Sequence, residues 1–202
     1  MSVLLVCILC GLISFIPIIE LKGAIPLAMS PSIWGENALS PLLAWISCSI
    51  GGVCCCLIIP IIFLYLKKHL EKNKVFSKVF KCIDSMVTRW LSNKRNLNDK
   101  HKSIKKCWWV FVFCALPLPF TGVWTAGALC AILQLNYRQS VLTLTLANIF
   151  SAVVLTAFCF LFAEYIDLII CVFIIITILQ IFLKTIEFFY HKTKLTKIAK
   201  ND

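Results

Sequence analysis

The sequence has little charge, and acidic residues are especially scarce. Of its 202 residues only 14% are charged and only nine are Asp or Glu, whereas about 25% of the residues in a soluble domain are charged. Sixty per cent of the residues are hydrophobic, and the mean hydropathy is +0.92. This composition excludes a soluble globular enzyme and predicts an integral helical membrane protein.

Motifs for catalysis and for metal binding are also absent. The sequence contains no H-E-x-x-H, no G-x-S-x-G and no pair of carboxylates within one predicted membrane span. No histidine lies near the C-x-x-C pair formed by Cys7 and Cys10, and most of the 12 cysteines fall in apolar runs, where thiols pack as small hydrophobic groups. We therefore expect no enzyme, no catalytic residue, no disulfide framework, no metal and no cofactor.

Long uncharged runs are the main positive feature. They cover residues 41–65, 107–137, 139–163 and 168–183. An apolar run of about 18 residues is long enough to cross the hydrocarbon layer as a helix. Residues 42–66, 140–163 and 166–183 are therefore predicted to be crossing helices of a multi-pass protein of the cell inner (cytoplasmic) membrane.

Basic residues are concentrated in one segment and in the tail. The formal net charge is +11, and 13 of the 20 Lys and Arg residues lie within residues 67–106. Such segments face the cytoplasm, so the charge is explained by topology and no nucleic acid is expected as a partner. Three full crossings between the two basic segments would place the tail on the wrong side. Residues 107–133 contain Pro117, Pro119, Gly122 and Gly127, and are therefore predicted to form a re-entrant helical hairpin.

The first half of the chain repeats this pattern in the opposite orientation. Apolar residues 2–19 are interrupted at Glu20, Lys22, Gly23 and Pro26 before the first crossing helix. The predicted fold class is an all-α integral membrane protein with an inverted repeat of a re-entrant hairpin plus a transmembrane helix. The segments are 1–66 (first repeat), 67–106 (cytoplasmic basic amphipathic helix and linker), 107–163 (second repeat), 164–190 (extra C-terminal transmembrane helix) and 191–202 (basic cytoplasmic tail).

The basic segment between the repeats has the pattern of an amphipathic helix. Between residues 70 and 91 apolar side chains recur every three or four residues, with Lys and Arg around them. This pattern is typical of a helix lying in the cytoplasmic interface against anionic lipid, or of a helix packed on the ends of the bundle. Residues 93–106 are predicted to be a polar linker.

Glu20 and Lys22 are the candidates for transport and coupling. A carboxylate at membrane depth is costly unless it is paired or can take up a proton. Glu20 is then either a coupling carboxylate or an interfacial residue satisfied by Lys22 or water. Lys22 in turn either neutralises Glu20, contacts an anionic substrate or extends to the lipid headgroups.

The other candidates are residues that break the hairpins or line a substrate cavity. Asn148 belongs to a stripe with Thr145 and Ser151 that should face the bundle interior, either bonding between helices or lining a cavity. We expect the two hairpin tips to meet inside the membrane, because lipid cannot satisfy their helix ends. The full set of candidates is Pro17, Gly23, Pro26, Pro117, Pro119, Thr121, Gly122, Trp124, Thr125 and Asn148.

The two hairpins also carry a resemblance to a known family. Residues 17–26 read PIIELKGAIP and residues 117–127 read PLPFTGVWTAG. They resemble the P-I-I-E-L-R/K-G-A-I-P and P-L-P-G-T-G-x-W-T-G signatures of the small multidrug export family. That family is similar in turn to the DedA and VTT membrane proteins, whose inverted re-entrant hairpins are associated with lipid-carrier flipping, scrambling and proton-coupled transport.

Two classes of function follow from these observations. The first is a transporter or flippase in which Glu20 couples ion or proton movement to the passage of a small amphiphilic or lipid-linked substrate. The second is a non-transporting membrane scaffold that recruits lipids or protein partners through the amphipathic helix. In either case the expected partners are membrane lipids and further copies of the chain in a homo-oligomer.

Overall fold

The computed structural model describes residues 2–70, 85, 99–116 and 121–198, and these residues form helices and no strand. The all-helical class expected from the sequence is therefore confirmed. Two short 3-10 helices, Gly35–Asn37 and Ala163–Tyr165, lie in the connections. The α-helices are α1 (Val3–Ile13), α2 (Glu20–Met29), α3 (Pro31–Trp34), α4 (Pro41–Leu70), α5 (Asp99–Ala115), α6 (Val123–Ile132), α7 (Tyr137–Leu161) and α8 (Ile166–Ile198).

Three segments are long and apolar enough to cross a membrane. They are Pro41–His69, Tyr137–Leu161 and Ala163–Leu183, which correspond to the three crossing helices predicted from the uncharged runs. By contrast, α2 and α6 have 10 residues each and are therefore only about 15 Å long, half of a hydrocarbon layer about 30 Å thick. The protein is thus a multi-pass membrane protein that also contains helices too short to cross.

Helix α4 lies at the centre and orders the other helices around it. It packs against α1, α2, α6 and α7. The hydroxyl of Ser14 donates to the carbonyl of Cys48 and the hydroxyl of Ser47 donates to the carbonyl of Cys7, so α1 runs parallel to α4. Helix α7 is antiparallel to α4, because Gly52 lies against Asn148 whereas Leu57, nearer the end of α4, accepts a hydrogen bond from Tyr137 at the start of α7.

The short helices α2 and α6 run towards opposite ends of α4. The backbone N–H of Leu39, just before α4, donates to the carbonyl of Ala28 near the end of α2 at 2.9 Å. Gly127 of α6 packs against Ile59 in the second half of α4. Because α2 ends near the start of α4 and α6 extends towards its end, the N-termini of the two short helices lie between the two ends of the bundle.

Polar contacts define the two ends of the bundle. At the acidic end, which carries Glu36 and Asp167, the hydroxyl of Ser30 donates to the Asp167 carboxylate at 2.7 Å, and the hydroxyl of Ser32 does the same. At the basic end, which carries Lys106 and Arg138, Lys106 Nζ donates to the carbonyl of Leu133 at 3.0 Å. The crossing helices α4 and α7 separate these two ends.

Small residues let the helices approach closely. A side chain at Gly51 would overlap the carbonyl of Gly11, and a side chain at Gly127 would overlap Ile59. Ser47 and Gly51 therefore form the contact face of α4 towards α1, as the small-residue spacing predicts. Many of the buried side chains are small as well, including Cys10, Cys48 and Ala152 around α1 and α2. Close backbone approach and dispersion contacts therefore hold the bundle together.

The break in the first hairpin lies earlier than the sequence predicts. Residues 14–19 form the turn, whereas Gly23 and Pro26 lie inside α2. Helix-breaking propensity is overridden here because α2 buries nearly its whole surface, including Ala24 and Ile25. Gly23 allows the side chains of Ile19 and Phe173 to pack against it. A Cβ atom at this position would lie 2.7 Å from Ile19 and 3.0 Å from Phe173.

The prediction of a polar linker at residues 93–106 is wrong for residues 99–106, because α5 begins at Asp99. The same helix continues into a buried face at Val110 and Cys114, so the polar residues 99–106 extend a helix that is packed further on. The remaining linker residues, 93–98, lie outside the described residues. So do the predicted amphipathic helix of residues 70–91, except Leu70 and Ser85, and both Pro117 and Pro119.

Candidate functional site

Glu20, the first residue of α2, is bound by the start of α6. Its side chain is only 8% exposed. Carboxylate oxygen Oε1 accepts a hydrogen bond from the backbone N–H of Trp124 at 3.2 Å, and Oε2 lies directly over Gly122, the residue that precedes α6. The first N–H groups of a helix have no partner within it, and they mark the positive end of the helix dipole. The carboxylate therefore occupies an anion site made by a helix N-terminus.

Lys22 joins the same two segments through its ammonium group. Its side chain is 6% exposed, and Nζ donates to the hydroxyl of Thr121 at 2.7 Å. The Thr121 hydroxyl in turn donates to the carbonyl of Leu116, the residue after α5, at 2.8 Å. Lys22 also lies close enough to Glu20 for electrostatic attraction. The start of α2 and the turn before α6 therefore form one polar junction.

Trp124 and Thr125 complete this junction from the first turn of α6. The indole N–H of Trp124 donates to the carbonyl of Phe15 at 3.4 Å, within the turn between α1 and α2. The hydroxyl of Thr125 donates to the carbonyl of Gly122 at 3.1 Å. The turn before α2 and the start of α6 thus supply hydrogen-bond partners for backbone groups of each other or of themselves.

The turn before Glu20 has an unusual backbone conformation. Ile18 has a φ of 82° and Glu20 a φ of 47°, values in the left-handed region that β-branched residues in particular avoid. Such residues persist where the surrounding contacts determine their conformation. At Glu20 these contacts are two hydrogen bonds. Its backbone N–H donates to the carbonyl of Ile16 at 2.9 Å, and its carboxylate accepts from the N–H of Trp124.

An apolar cavity begins next to Lys22. It has a volume of about 430 Å³ and lies between α2, α7 and α8. Lys22 is the one charged residue among the described residues that line it. Its volume is within the range of small-molecule sites, about 300–1,000 Å³. The lining residues are Lys22, Pro26, Val154, Leu155, Phe158, Leu168, Ile169, Val172, Phe173 and Ile176.

Asn148 lies away from the junction, in the contact between α4 and α7. It is 4% exposed, and its amide fills the space that a side chain at Gly52 would occupy. Its Nδ2 atom has no hydrogen-bond partner among the described residues. Its predicted position in the bundle interior is therefore observed, but without the bond to a neighbouring helix that was one of the two interpretations.

The structure brings five of the predicted candidates into the junction: Glu20, Lys22, Thr121, Gly122 and Trp124. Thr125 lies beside them in α6, and Pro26 lines the cavity. Pro17 is exposed in the turn, and Gly23 packs against Phe173 of α8 instead of meeting Gly122. Pro117 and Pro119 lie outside the described residues.

Some site residues are not evident from the sequence. Phe15 contributes only its backbone carbonyl, which no side-chain pattern could reveal. In the sequence, Phe173 and the other cavity residues of α8 cannot be distinguished from the remaining residues of a long apolar helix. Gly52 had a weak signal, because it follows Gly51 in a helix where paired glycines indicate close contact.

The comparison with known families agrees with this geometry. A family model described as "Putative small multi-drug export protein" matches residues 20–155, more than half of the chain. The match begins at Glu20 and includes both segments of the junction. No curated protein and no solved structure matches the chain. The chain belongs to the small multidrug export family.

Proposed function

We propose that this protein is a proton-coupled transporter of the small multidrug export type, moving a small amphiphilic or lipid-linked substrate. The observation that carries the proposal is the buried Glu20 carboxylate, held at the N-terminus of α6 beside Lys22. A merely structural scaffold has no need for a carboxylate in such a place, because a buried charge must be compensated by hydrogen bonds and opposite charge.

The proposed mechanism treats the two short-helix pairs as inverted re-entrant hairpins. Helix α1 packs on α2 and α5 packs on α6. Since α2 and α6 are each about 15 Å long and run to opposite ends, each pair would enter from its own side and turn back near the midplane. Inverted repeats whose broken helices meet at the midplane are a recurrent transporter design. The resemblance to DedA and VTT proteins has the same implication and is part of this proposal.

Glu20 would couple proton binding to the position of the hairpins. In the charged form its carboxylate matches the positive end of α6 and attracts Lys22. A proton on the carboxylate removes this charge and weakens both interactions. The junction between the two hairpins would then separate more easily, so that proton uptake and release change which side of the membrane the junction faces.

The cavity beside the junction would hold the substrate. Its walls are apolar, and Lys22 supplies one positive charge at its inner side. This arrangement suits an amphiphile with a negatively charged group, which would compete with Glu20 and Thr121 for Lys22. Helix α8 forms one wall, and its apolar side chains between Leu168 and Leu183 are mostly exposed, so the substrate would enter from the lipid.

A vesicle assay with Glu20→Gln tests this function. Gln keeps the shape of the side chain but cannot load or release a proton. In reconstituted vesicles with an imposed pH gradient, we expect the wild type to dissipate the gradient when an amphiphile such as 8-anilinonaphthalene-1-sulfonate is added, and Glu20→Gln to lose this response. The matched control is Glu164→Gln, which changes an exposed carboxylate in the connection before α8 and should behave as the wild type.

A Glu20→Gln protein that transports at the wild-type rate at every pH would disprove proton coupling through Glu20. The alternative function, a scaffold that recruits lipids or partners, depends on residues 70–91, of which only Leu70 and Ser85 belong to the described residues. Transport is therefore the function that the observed junction supports. The inner cell membrane, a homo-oligomer and membrane lipids as partners are further parts of this proposal.

A further inference from the structure

A row of buried polar atoms follows the contact between α4 and α7. These atoms belong to Trp45, Ser49, Asn148, Ser151 and Thr156, which we call the polar seam. In the part of the chain that the structure describes, Trp45 Nε1, Ser49 Oγ, Asn148 Nδ2, Ser151 Oγ and Thr156 Oγ1 are all buried and have no hydrogen-bond partner. Ser49, Asn148 and Ser151 are 9%, 4% and 1% exposed.

The antiparallel pairing of the two helices arranges these groups along one line. Gly52 lies directly against Asn148. Moving three residues towards the acidic end on each helix brings Ser49 level with Ser151. One turn further on, Trp45 and Thr156 line the same surface cavity of about 380 Å³ near the start of α4. The polar seam therefore leads from the acidic end into the bundle over about 12 Å, the length of eight helical residues.

The inner end of the polar seam reaches the surroundings of Glu20. Cys56 lies one turn beyond Gly52 on α4 and interacts with the side chain of Thr145 on α7. The Cys56 side chain is fully buried, and the thiol of its neighbour Cys55 donates at 3.5 Å to the Phe15 carbonyl that also accepts from Trp124 of the junction. The line of polar groups therefore continues from Asn148 to the level of the junction.

Water is the ligand that such a line of groups can hold. Buried polar side chains in folded proteins nearly always bond to protein or to ordered water, and a buried water needs two to four polar partners. Five donors or acceptors without a protein partner on two facing helices supply such partners in succession. At the outer end of the seam, the cavity of about 380 Å³ beside Trp45 and Thr156 provides space for water.

We propose that the polar seam binds a chain of water molecules that connects the acidic end of the bundle with Glu20. The delivery of protons to Glu20 by this chain rests on the proposed function, whereas the binding of water along the seam does not depend on it. The seam would then be the path by which protons reach the coupling carboxylate from the side that carries Glu36 and Asp167.

Hydroxyl-radical footprinting of the wild-type protein in lipid nanodiscs tests for the water. Radicals formed from bound water oxidise neighbouring cysteines even when these are buried. Cys56 and Cys10 are both fully buried, but Cys10 belongs to α1, which contributes no group to the polar seam. We expect Cys56 to be oxidised several times faster than Cys10. Equal rates for the two cysteines would overturn the proposal.

A blocked seam should lose this labelling. Ser151→Val replaces the hydroxyl with a methyl group and adds a second methyl group, which removes a polar partner and narrows the seam, and we expect the oxidation rate of Cys56 to fall to that of Cys10. The control is Thr177→Val in α8, whose hydroxyl donates to its own helix at Phe173 and lies outside the seam. If Ser151→Val unfolds the protein, Ser151→Ala removes the same hydroxyl without adding volume and tests whether that group holds the water. Unchanged Cys56 labelling in a folded Ser151 variant would contradict the water chain.

The proton path is tested separately from the water. In the vesicle assay, Ser151→Val should slow proton movement several-fold while leaving the binding of 8-anilinonaphthalene-1-sulfonate unchanged. If labelling falls but proton movement does not, the seam holds water that does not serve Glu20. If Glu20→Gln itself has no effect, the proposed function fails, whereas the footprinting result still decides whether the seam is hydrated.

Discussion

At the scale of single residues, Glu20 and Gly122 fit together because Gly122 has no side chain. A Cβ atom at this position would overlap Oε2 of Glu20. The carboxylate would then have to leave the start of α6, and its bond from the Trp124 N–H would be lost. Glycine serves here for close approach rather than for an unusual backbone angle, since its φ is −90°.

Gly122→Ala should therefore lower the free energy of unfolding by about 1–3 kcal/mol, the usual cost of overpacking, and abolish proton-coupled activity. Thermal unfolding in detergent measures the first effect. The same substitution in a Glu20→Ala background should cost much less, because the atom that it displaces is gone. An equal cost in both backgrounds would show that Gly122 is needed for a reason other than Glu20.

Lys22 has a residue-scale prediction of its own. Lys22→Gln removes the charge of the cavity and should weaken binding of the anion 8-anilinonaphthalene-1-sulfonate by several-fold while leaving binding of the cation ethidium unchanged or improved. The change in probe fluorescence measures both. Lys68→Gln, at an exposed position near the end of α4, is the control. Equal loss for both probes would mean that Lys22 only supports the fold.

At the scale of elements, α8 is attached less firmly than the other crossing helices. It packs mainly against α2, whereas α4 and α7 contact several helices each. At its start, the hydroxyls of Ser30 and Ser32 both donate to the carboxylate of Asp167. These bonds hold one wall of the apolar cavity against the segment that follows α2.

Asp167→Ala should loosen this attachment. Because the two hydrogen bonds are lost, the free energy of unfolding should fall slightly, and amide hydrogen exchange in the first turns of α8 should become faster. Glu164→Ala, an exposed carboxylate in the same connection, is the control and should change neither quantity. Unchanged exchange in Asp167→Ala would mean that apolar packing alone positions α8.

At the scale of the whole molecule, charge and geometry divide the bundle into two ends. Glu36 and Asp167 lie at one end, and Lys106 and Arg138 lie at the other. The positive-inside rule predicts that the basic end faces the cytoplasm. The polar seam would then open to the outside.

Membrane-impermeant labelling of single cysteines tests this orientation. In a background without native cysteines, Glu36→Cys should react in intact cells, whereas Arg138→Cys should react only after permeabilisation. The reverse result would invert the predicted topology. Labelling of both positions from the same side would contradict the separation of the two ends.

Composition and residue pattern alone predicted the class of the protein, the three helices that are long enough to cross a membrane and most of the junction residues. Hydropathy and charge are summed over long segments, so predictions made from them do not depend on how the helices pack. Glu20, Lys22, Gly122 and Trp124 were also recognisable, because a charge or a glycine in an apolar run is unusual wherever it finally lies.

How these residues meet depends on the packing of the helices. The bonds from Lys22 to Thr121 and from Trp124 to Glu20 join positions about 100 residues apart, and no local pattern specifies such partners. The position of the first turn was decided by burial of α2, which keeps Gly23 and Pro26 helical against their intrinsic preference. The unpartnered groups of the polar seam depend likewise on the register between α4 and α7, which is set by packing and not by either helix alone.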